Sequence, residues 1–498
     1  MNQQANNGAC VRRRLRLCAI ALGLVLALVL CNLLVALLPW RTRSFRIGGQ
    51  TAFQISAPTK IALSGLQEDV QLYLITEDGE LSFDRDLYTL LKGYDEMSDR
   101  ITLRVVSNKA EPEFLTSRGY SLSEESGIAF LVESSRRSRL IDLEDAYTYY
   151  CVVSSDGEEL SMTFTPEEFS IYGSSFVGSS GTVEAHFDAE YLITNAISFV
   201  LEESVPTVAV LKNDVVLSVD EAILQRLERS NYEIEWIGSV EELDAKKHEL
   251  LLYNTPKSDL EVREADALRA YLAAGGDLFL TSYYGAGVFQ NLGGVLEEYG
   301  LSADERRVRL VENNQNYVLD YGTEKYMFAK ISSLHEATAD FDGSYVTSDV
   351  HAIKIEEKQG VITTSWLYTT ESGSRERVDS STGKATAIEE ERTAYTYGAI
   401  AERGESRVIW VSTPYALARS YDILNMGSNL NLMATAIEWS LEDANAVEVI
   451  DIEPQTIRGS YLQVTWTQLI VWTIVLAGVL PVTALTVGIV RRYLRRRA

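Results

Sequence analysis

The sequence predicts an α/β protein carried between two membrane-spanning helices. Two charge-free apolar runs bracket the chain, Leu17–Trp40 (LCAIALGLVLALVLCNLLVALLPW) and Tyr461–Val490 (YLQVTWTQLIVWTIVLAGVLPVTALTVGIV). Between them, short strand-like segments alternate with amphipathic helical ones.

Each run exceeds the roughly 20 apolar residues that an α-helix needs to cross about 30 Å of hydrocarbon. Arg12, Arg13, Arg14 and Arg16 precede the first; Arg491, Arg492, Arg495, Arg496 and Arg497 follow the second. Arginine favours the cytoplasmic side, so 1–16 and 491–498 are expected to be cytoplasmic tails. Residues 41–460 then lie outside the cytoplasm, in a two-pass protein of the cell membrane with the lipid bilayer as one partner. A cleaved signal peptide is the alternative for the first run, but its apolar stretch is usually about 7–15 residues. Neither run carries Asp, Glu, Lys, Arg or His. That argues against an ion or proton path through these helices alone, so any pore belongs to other subunits.

The formal charge is −26, and it becomes −35 once those nine arginines are set aside. Such a surface repels nucleic acid, which is excluded as a partner. Of the cysteines Cys10, Cys18, Cys31 and Cys151, only Cys151 falls between the runs. No disulfide can close within 41–460, and neither a dithiol nor a zinc site is expected there.

The first block runs strand Val70–Thr76, helix Phe83–Met97, strand Ile101–Ser107, then a short helix from Pro112 to Arg118 stopped at Gly119. A hairpin follows, Gly127–Ser134 with Ser138–Asp145. This β-α-β-α-β-β order predicts a thioredoxin-like domain over 47–150. A redox enzyme of that fold needs a dithiol after the first strand, where this chain reads EDGELSF (Glu77–Phe83). Residues 151–185 are polar and are expected to be a linker.

The second block spans 186–450. A helix at His186–Glu203 leads into strands at 206–212, 232–238, 249–256 and 277–282. Helices at 218–230, 260–274 and 288–299 alternate with them, the first started by a Ser218/Glu221 capping box and the second stopped at Gly275-Gly276. The alternation predicts a mainly parallel sheet covered on both faces, a flavodoxin/amidotransferase-like domain. A polar insertion near 371–391 is expected as an exposed hairpin or a disordered stretch. Strand Arg407–Pro414 and helix Asn429–Leu441 close the domain.

Catalytic signatures are missing. No GxxxxGK[ST] loop occurs, so ATP is not hydrolysed by P-loop chemistry. An amidotransferase needs a Cys nucleophile at a strand-to-helix turn; here the turn reads TSYYGAG (Thr281–Gly287). The four histidines, His186, His248, His335 and His351, stand in no recognisable constellation with Ser or Cys and are expected to be structural. No catalytic residue, metal ligand, cofactor or enzymatic activity is expected. What remains is a ligand crevice at the C-terminal strand ends. Its candidates are Lys212, Asn213, Asp214, Asn254, Thr255, Thr281, Ser282 and Ser412, with Thr413 beside them. The alternative is that these are ordinary loop caps.

Five segments carry a family resemblance. They are FQISAPTKIALSGLQEDVQLYLIT (Phe53–Thr76), with Ser56-x-x-Thr59; LLKGYDEMSDRITLRVVS (Leu90–Ser107); HFDAEYLITNAISFV (His186–Val200), with Glu190, Thr194, Ala196 and Ile197; TPKSDLEVREADALRAYLAAGGDLFL (Thr255–Leu280); and LNLMATAIEWSLED (Leu430–Asp443), with Thr435 where Asn is usual. In this order, between two anchors, they resemble the GldG-type auxiliary proteins of ABC transport systems. The resemblance implies an outer domain working with a separate permease and a separate ATP-binding subunit, without a catalytic site. A membrane-tethered ligand-binding sensor and an envelope hydrolase are the alternatives. The two anchors are expected to join the outer domain at its opposite ends.

Overall fold

A computed structural model describes residues 55–77, 85–122, 127–155, 158–178, 181–285, 289–320, 325–442, 444 and 447–457. Both apolar runs lie outside these residues. Among the described residues no helix is long and apolar enough to cross a membrane.

The chain begins with helix α1 (Ala57–Leu63), started by Pro58 near its first position. Strand β1 (Val70–Thr76), helix α2 (Arg85–Met97), strand β2 (Ile101–Ser107) and the single turn α3 (Glu113–Thr116) follow. Strands β3 (Ile128–Glu133) and β4 (Ser138–Asp142) complete a four-stranded sheet in the order β2-β1-β3-β4. Strands β1 and β2 are parallel, with Val70 opposite Ile101; β3 and β4 run antiparallel. The β1 and β2 bounds are those expected from the sequence.

Residues 151–185 are not a linker. Strand β5 (Tyr147–Ser155), strand β6 (Glu158–Phe164) and strand β7 (Thr182–Phe187) form an antiparallel sheet there. Ser, Gly and Glu dominate the composition, but Cys151, Met162 and Phe164 alternate inward and are fully buried. The period-two signal is confined to a few residues per strand. Strand β7 also takes His186 and Phe187, so helix α4 starts at Ala189 rather than His186 and runs to Leu201.

The larger sheet begins with β8 (Thr207–Leu211), helix α5 (Glu221–Arg229), β9 (Glu233–Ile237), β10 (His248–Tyr253), helix α6 (Val262–Ala273), β11 (Asp277–Thr281) and helix α7 (Gln290–Glu298). Helix α5 is capped by Asp220, whose side chain accepts from the Ala222 N–H at 3.1 Å; the expected Ser218 cap lies outside the helix. Gly275 ends α6 with φ of +97°, and a Cβ on Gly276 would meet the Tyr271 ring at 2.2 Å. Both glycines are needed there.

Strands β12 (Val308–Val311), β13 (Lys330–Ile331) and β14 (Ile362–Tyr368) come next. The polar insertion folds as a hairpin of β15 (Ser374–Val378) and β16 (Ala385–Ala387), with β15 paired to β12. Strand β17 (Thr396–Arg403), strand β18 (Ser406–Val411), helix α8 (Ser428–Ser440) and strand β19 (Gln455–Ile457) finish the described chain. Strand β19 pairs antiparallel with β7.

The main sheet has eight strands in the order β13-β14-β17-β18-β11-β10-β8-β9. From β9 to β18 the strands are parallel; β17, β14 and β13 add antiparallel. Alternate residues face opposite sides. Val208, Val210, Leu250, Leu252 and Ile409 meet α5 and α8; Ala209, Leu251, Leu278, Leu280 and Val408 meet α6 and α7. The chain is a mixed α/β protein, and both faces of the parallel portion are covered.

Candidate functional site

The strand order reverses at β8. The chain leaves β8 for β9 on one side, then returns to β10 on the other. A crevice is expected at the C-terminal ends of β8 and β10, where doubly wound sheets take ligands. Here the chain's own loop closes it. The Leu217 N–H donates to the Asn254 carbonyl at 2.9 Å, the Lys257 N–H to the Val215 carbonyl at 2.7 Å, and Asn254 Nδ2 to the Ser218 carbonyl at 2.7 Å.

The eight candidate residues separate into four groups. Lys212 and Asp214 are exposed on that loop, and the Lys212 ammonium sits 4.7 Å above the Trp236 ring. Asn213 caps the same loop, accepting from the Val215 N–H at 3.0 Å and donating to the Gly238 carbonyl at 3.1 Å. Asn254, Thr255 and Thr281 are buried and bonded to one another. Thr281 Oγ1 donates to Asn254 Oδ1 at 2.6 Å, accepts from the Thr255 N–H at 2.8 Å and lies 2.7 Å from Thr255 Oγ1. This knot holds Thr255 at φ of +46°, a left-handed conformation that a β-branched residue rarely adopts. Ser412 is buried and donates to the His351 carbonyl at 2.5 Å. Its neighbour Thr413 is buried too, donating to the Ser348 carbonyl.

Ser282 stands apart. It follows the last residue of β11 and is half-buried. Its Oγ lies 2.8 Å from His351 Nε2 and accepts from the Trp410 indole N–H at 2.8 Å. His351 Nδ1 lies 3.1 Å from the Ala352 carbonyl, which can only accept. Nδ1 therefore carries the proton, and Nε2 presents a lone pair to the serine hydroxyl. Burial pushes the imidazole down to about 4, against the Ala352 bond and the Asp304 charge, which favour its cation. The expectation that no histidine joins a serine does not hold. Ser282 and His351 are 69 residues apart, and no local spacing announces the pair.

A second cluster was visible only as motif residues. Glu190, in the first turn of α4, is 3 % exposed. One of its oxygens accepts from the Ser56 N–H at 2.6 Å and from Thr59 Oγ1 at 2.8 Å; the other accepts from Gln455 Nε2 at 3.4 Å. Thr194, one turn on, lies 3.1 Å from Thr59 Oγ1 and 2.6 Å from the Tyr94 hydroxyl, which donates to the Glu190 carbonyl. Burial holds the Tyr94 phenol well above its ordinary range. Asn195 grips the other chain end, donating to the Ile450 carbonyl at 3.0 Å and accepting from the Ile450 N–H at 2.8 Å. The first and last described segments thus meet on one helix, not at opposite ends of the domain.

No protein-family model matches the chain, and no curated protein sequence does. Several solved structures align with about half of it. The mmIFT52 N-terminal domain is 16% identical over 47% of this chain and 96% of that one, with a TM-score of 0.35. A ThuA-like protein from Parabacteroides merdae is 12% identical over 48% and 90%, with a TM-score of 0.28. A glutamine amidotransferase from Thermotoga maritima is 10% identical over 48% and 100%, with a TM-score of 0.29. Similarities this remote carry no argument about activity.

Proposed function

We propose that this chain is a GldG-type auxiliary subunit of an ABC transport system. It acts outside the cytoplasm, without catalysis in the transport step, alongside a separate permease and ATP-binding subunit. The two apolar runs are its membrane anchors, with both termini cytoplasmic. The outer region combines a thioredoxin-like unit, matching the β2-β1-β3-β4 order, with a flavodoxin/amidotransferase-like unit built on the eight-stranded sheet.

The observation that carries this reading is the joint at Glu190. Ser56 follows the first apolar run and Gln455 precedes the second, and both bond the same buried carboxylate. The motif residues Ser56, Thr59, Glu190 and Thr194, quoted for the family resemblance, are the residues that build this joint. The described segments nearest the two runs in sequence therefore meet at one buried point. That arrangement suits a subunit that follows or transmits motion of neighbouring transmembrane helices. Spatial convergence is not itself coupling, so partners must be found directly.

Affinity purification of the full-length chain in mild detergent tests the reading. An ATPase and a permease are expected in the eluate, in amounts comparable to the chain. Recovery of the chain without either one contradicts the proposal. A Ser380→Cys reporter in a Cys-free background tests topology, since Ser380 is exposed at the tip of the β15–β16 hairpin. A membrane-impermeant thiol reagent should label it in intact cells; protection there reverses the orientation.

A further inference from the structure

The polar groups around Ser282 have the arrangement of a nucleophile and its base. We propose that Ser282 is a nucleophile activated by His351, and that the adjoining pocket accepts the short apolar acyl group of a neutral ester.

Three features carry this. The first is geometry: Oγ and Nε2 are 2.8 Å apart, and the imidazole is oriented from its far side by the Ala352 carbonyl. Nucleophile, base and orienting group are thereby in line. The second is placement. Ser282 leaves the C-terminal end of a central parallel strand, in the connection between β11 and α7. The Tyr283 N–H, one residue on, donates to no backbone carbonyl among the described residues. The amide after the nucleophile is the one that strand-to-helix serine sites use for the oxyanion. The third is the pocket. Ser282, His351 and Trp410 line it together with apolar groups that include Leu280, Phe289 and Leu292. A small apolar cavity with a few convergent polar groups suits a small ligand. Among the described residues no Lys or Arg lines it, whereas Glu297 does. A carboxylate or phosphate ligand is therefore disfavoured, and a neutral ester fits.

The reaction follows from these contacts. Ser282 Oγ attacks the ester carbonyl carbon while its proton passes to His351 Nε2. The tetrahedral adduct breaks its bond to the alkoxy group, which takes that proton and leaves as the alcohol. Water then gives a proton to Nε2 and adds to the acyl-serine. Collapse returns the proton to Ser282 Oγ and releases the carboxylic acid. The Trp410 indole N–H, already on Oγ at 2.8 Å, steadies negative charge on that oxygen in both steps. The buried imidazole stays neutral near pH 7, ready to accept a proton, but it is a weak base, so turnover is slow. This activity is independent of the transport reading. The pocket shares no residue with the Glu190 joint, and failure of either leaves the other standing.

The test is covalent labelling of the full-length chain in detergent with a fluorophosphonate probe. The expected result is an adduct on the peptide holding Ser282, absent in S282A. In H351Q the labelling rate should fall by about 10²-fold or more. No adduct on Ser282, under conditions that label a reference serine esterase completely, overturns the proposal. So does labelling of H351Q at the wild-type rate. If H351Q does not fold, the wild-type pH profile replaces it, with folding followed by circular dichroism. Labelling should fall as pH drops through about 4, where Nε2 becomes protonated; a rate that does not fall contradicts the dyad.

Discussion

The joint at Glu190 and the knot at Thr281 are both buried, hydroxyl-rich clusters, and they differ in what they connect. The knot ties the ends of adjacent strands, β10 and β11, through Asn254, Thr255 and Thr281. The joint ties residues 131 and 134 positions apart, Thr59 and Ser56, to Glu190, and brings Gln455 from 265 positions away. One ties two neighbouring strand ends beside the crevice that the loop at 215–218 closes. The other fastens both ends of the described chain to a single helix. A conspicuous position in the topology therefore does not by itself leave an open crevice, since the chain's own loop fills this one.

The largest effect is expected at the joint. Glu190→Ala leaves the Ser56 N–H and the Thr59 hydroxyl without their shared acceptor, and it removes the oxygen that accepts from Gln455 Nε2. Hydrogen bonds to a charged group contribute about 1.5–3 kcal/mol each, so a loss of about 3 kcal/mol is expected in urea unfolding of the full chain. A change below about 1 kcal/mol would reduce the joint to a surface contact.

At the knot, Thr281→Val keeps the shape and removes the hydroxyl. The buried Thr255 N–H then loses its acceptor and Asn254 Oδ1 keeps only the longer 3.3 Å bond from Thr255 Oγ1, at a cost of about 1–3 kcal/mol. Had these threonines been exposed loop caps, the cost would be within about 0.5 kcal/mol, so the same experiment separates a buried knot from solvent-facing caps.

The contact between the turn at Leu143–Ala146 and α5 gives a pH-dependent effect. Asp145 accepts from Gln225 Nε2, and its carbonyl accepts from Arg229. Burial raises its carboxyl to about 6, helped by Asp142 and Glu221 and opposed by Arg229. Between its ordinary 3.8 and about 6, the folded chain holds a proton that the unfolded chain has released. The stability from this site is thus greatest at low pH and falls as pH rises through about 6. Asp145→Asn removes the titration. Its stability relative to wild type should increase between about pH 5 and about pH 7.5; a pH-independent difference contradicts the assignment. The smallest effect is expected at the exposed loop. Lys212→Ala loses only a solvent-exposed contact with Trp236, within about 1 kcal/mol.

Much of the architecture is legible in the sequence because single short segments announce it. Val70–Thr76 and Ile101–Ser107 are strands with the expected bounds, and Gly275-Gly276 ends α6 as a left-handed turn requires. Strands β5 to β7 were not legible. Their inward residues are few, and strong polar composition masks a period of two. At the strand ends, sequence reasoning found Ser282 and Asn254 by position but not their states. His351 and Trp410 reach Ser282 only through tertiary folding, and so does the loop that closes the crevice. Glu190 was within reach. Ser56-x-x-Thr59 and Glu190-x-x-x-Thr194 place polar groups one helical turn apart, and a polar stripe on an otherwise apolar helix such as α4 signals a buried partner.

The decisive measurement compares three full-length chains, wild type, Glu190→Ala and Thr281→Val, each captured in mild detergent under conditions where it is folded. The quantity read is the ATPase and permease recovered per molecule of chain. Wild type and Thr281→Val should recover them equally, and Glu190→Ala several-fold less. Equal recovery by all three chains, or none by the wild type, would contradict a transport role that works through the joint.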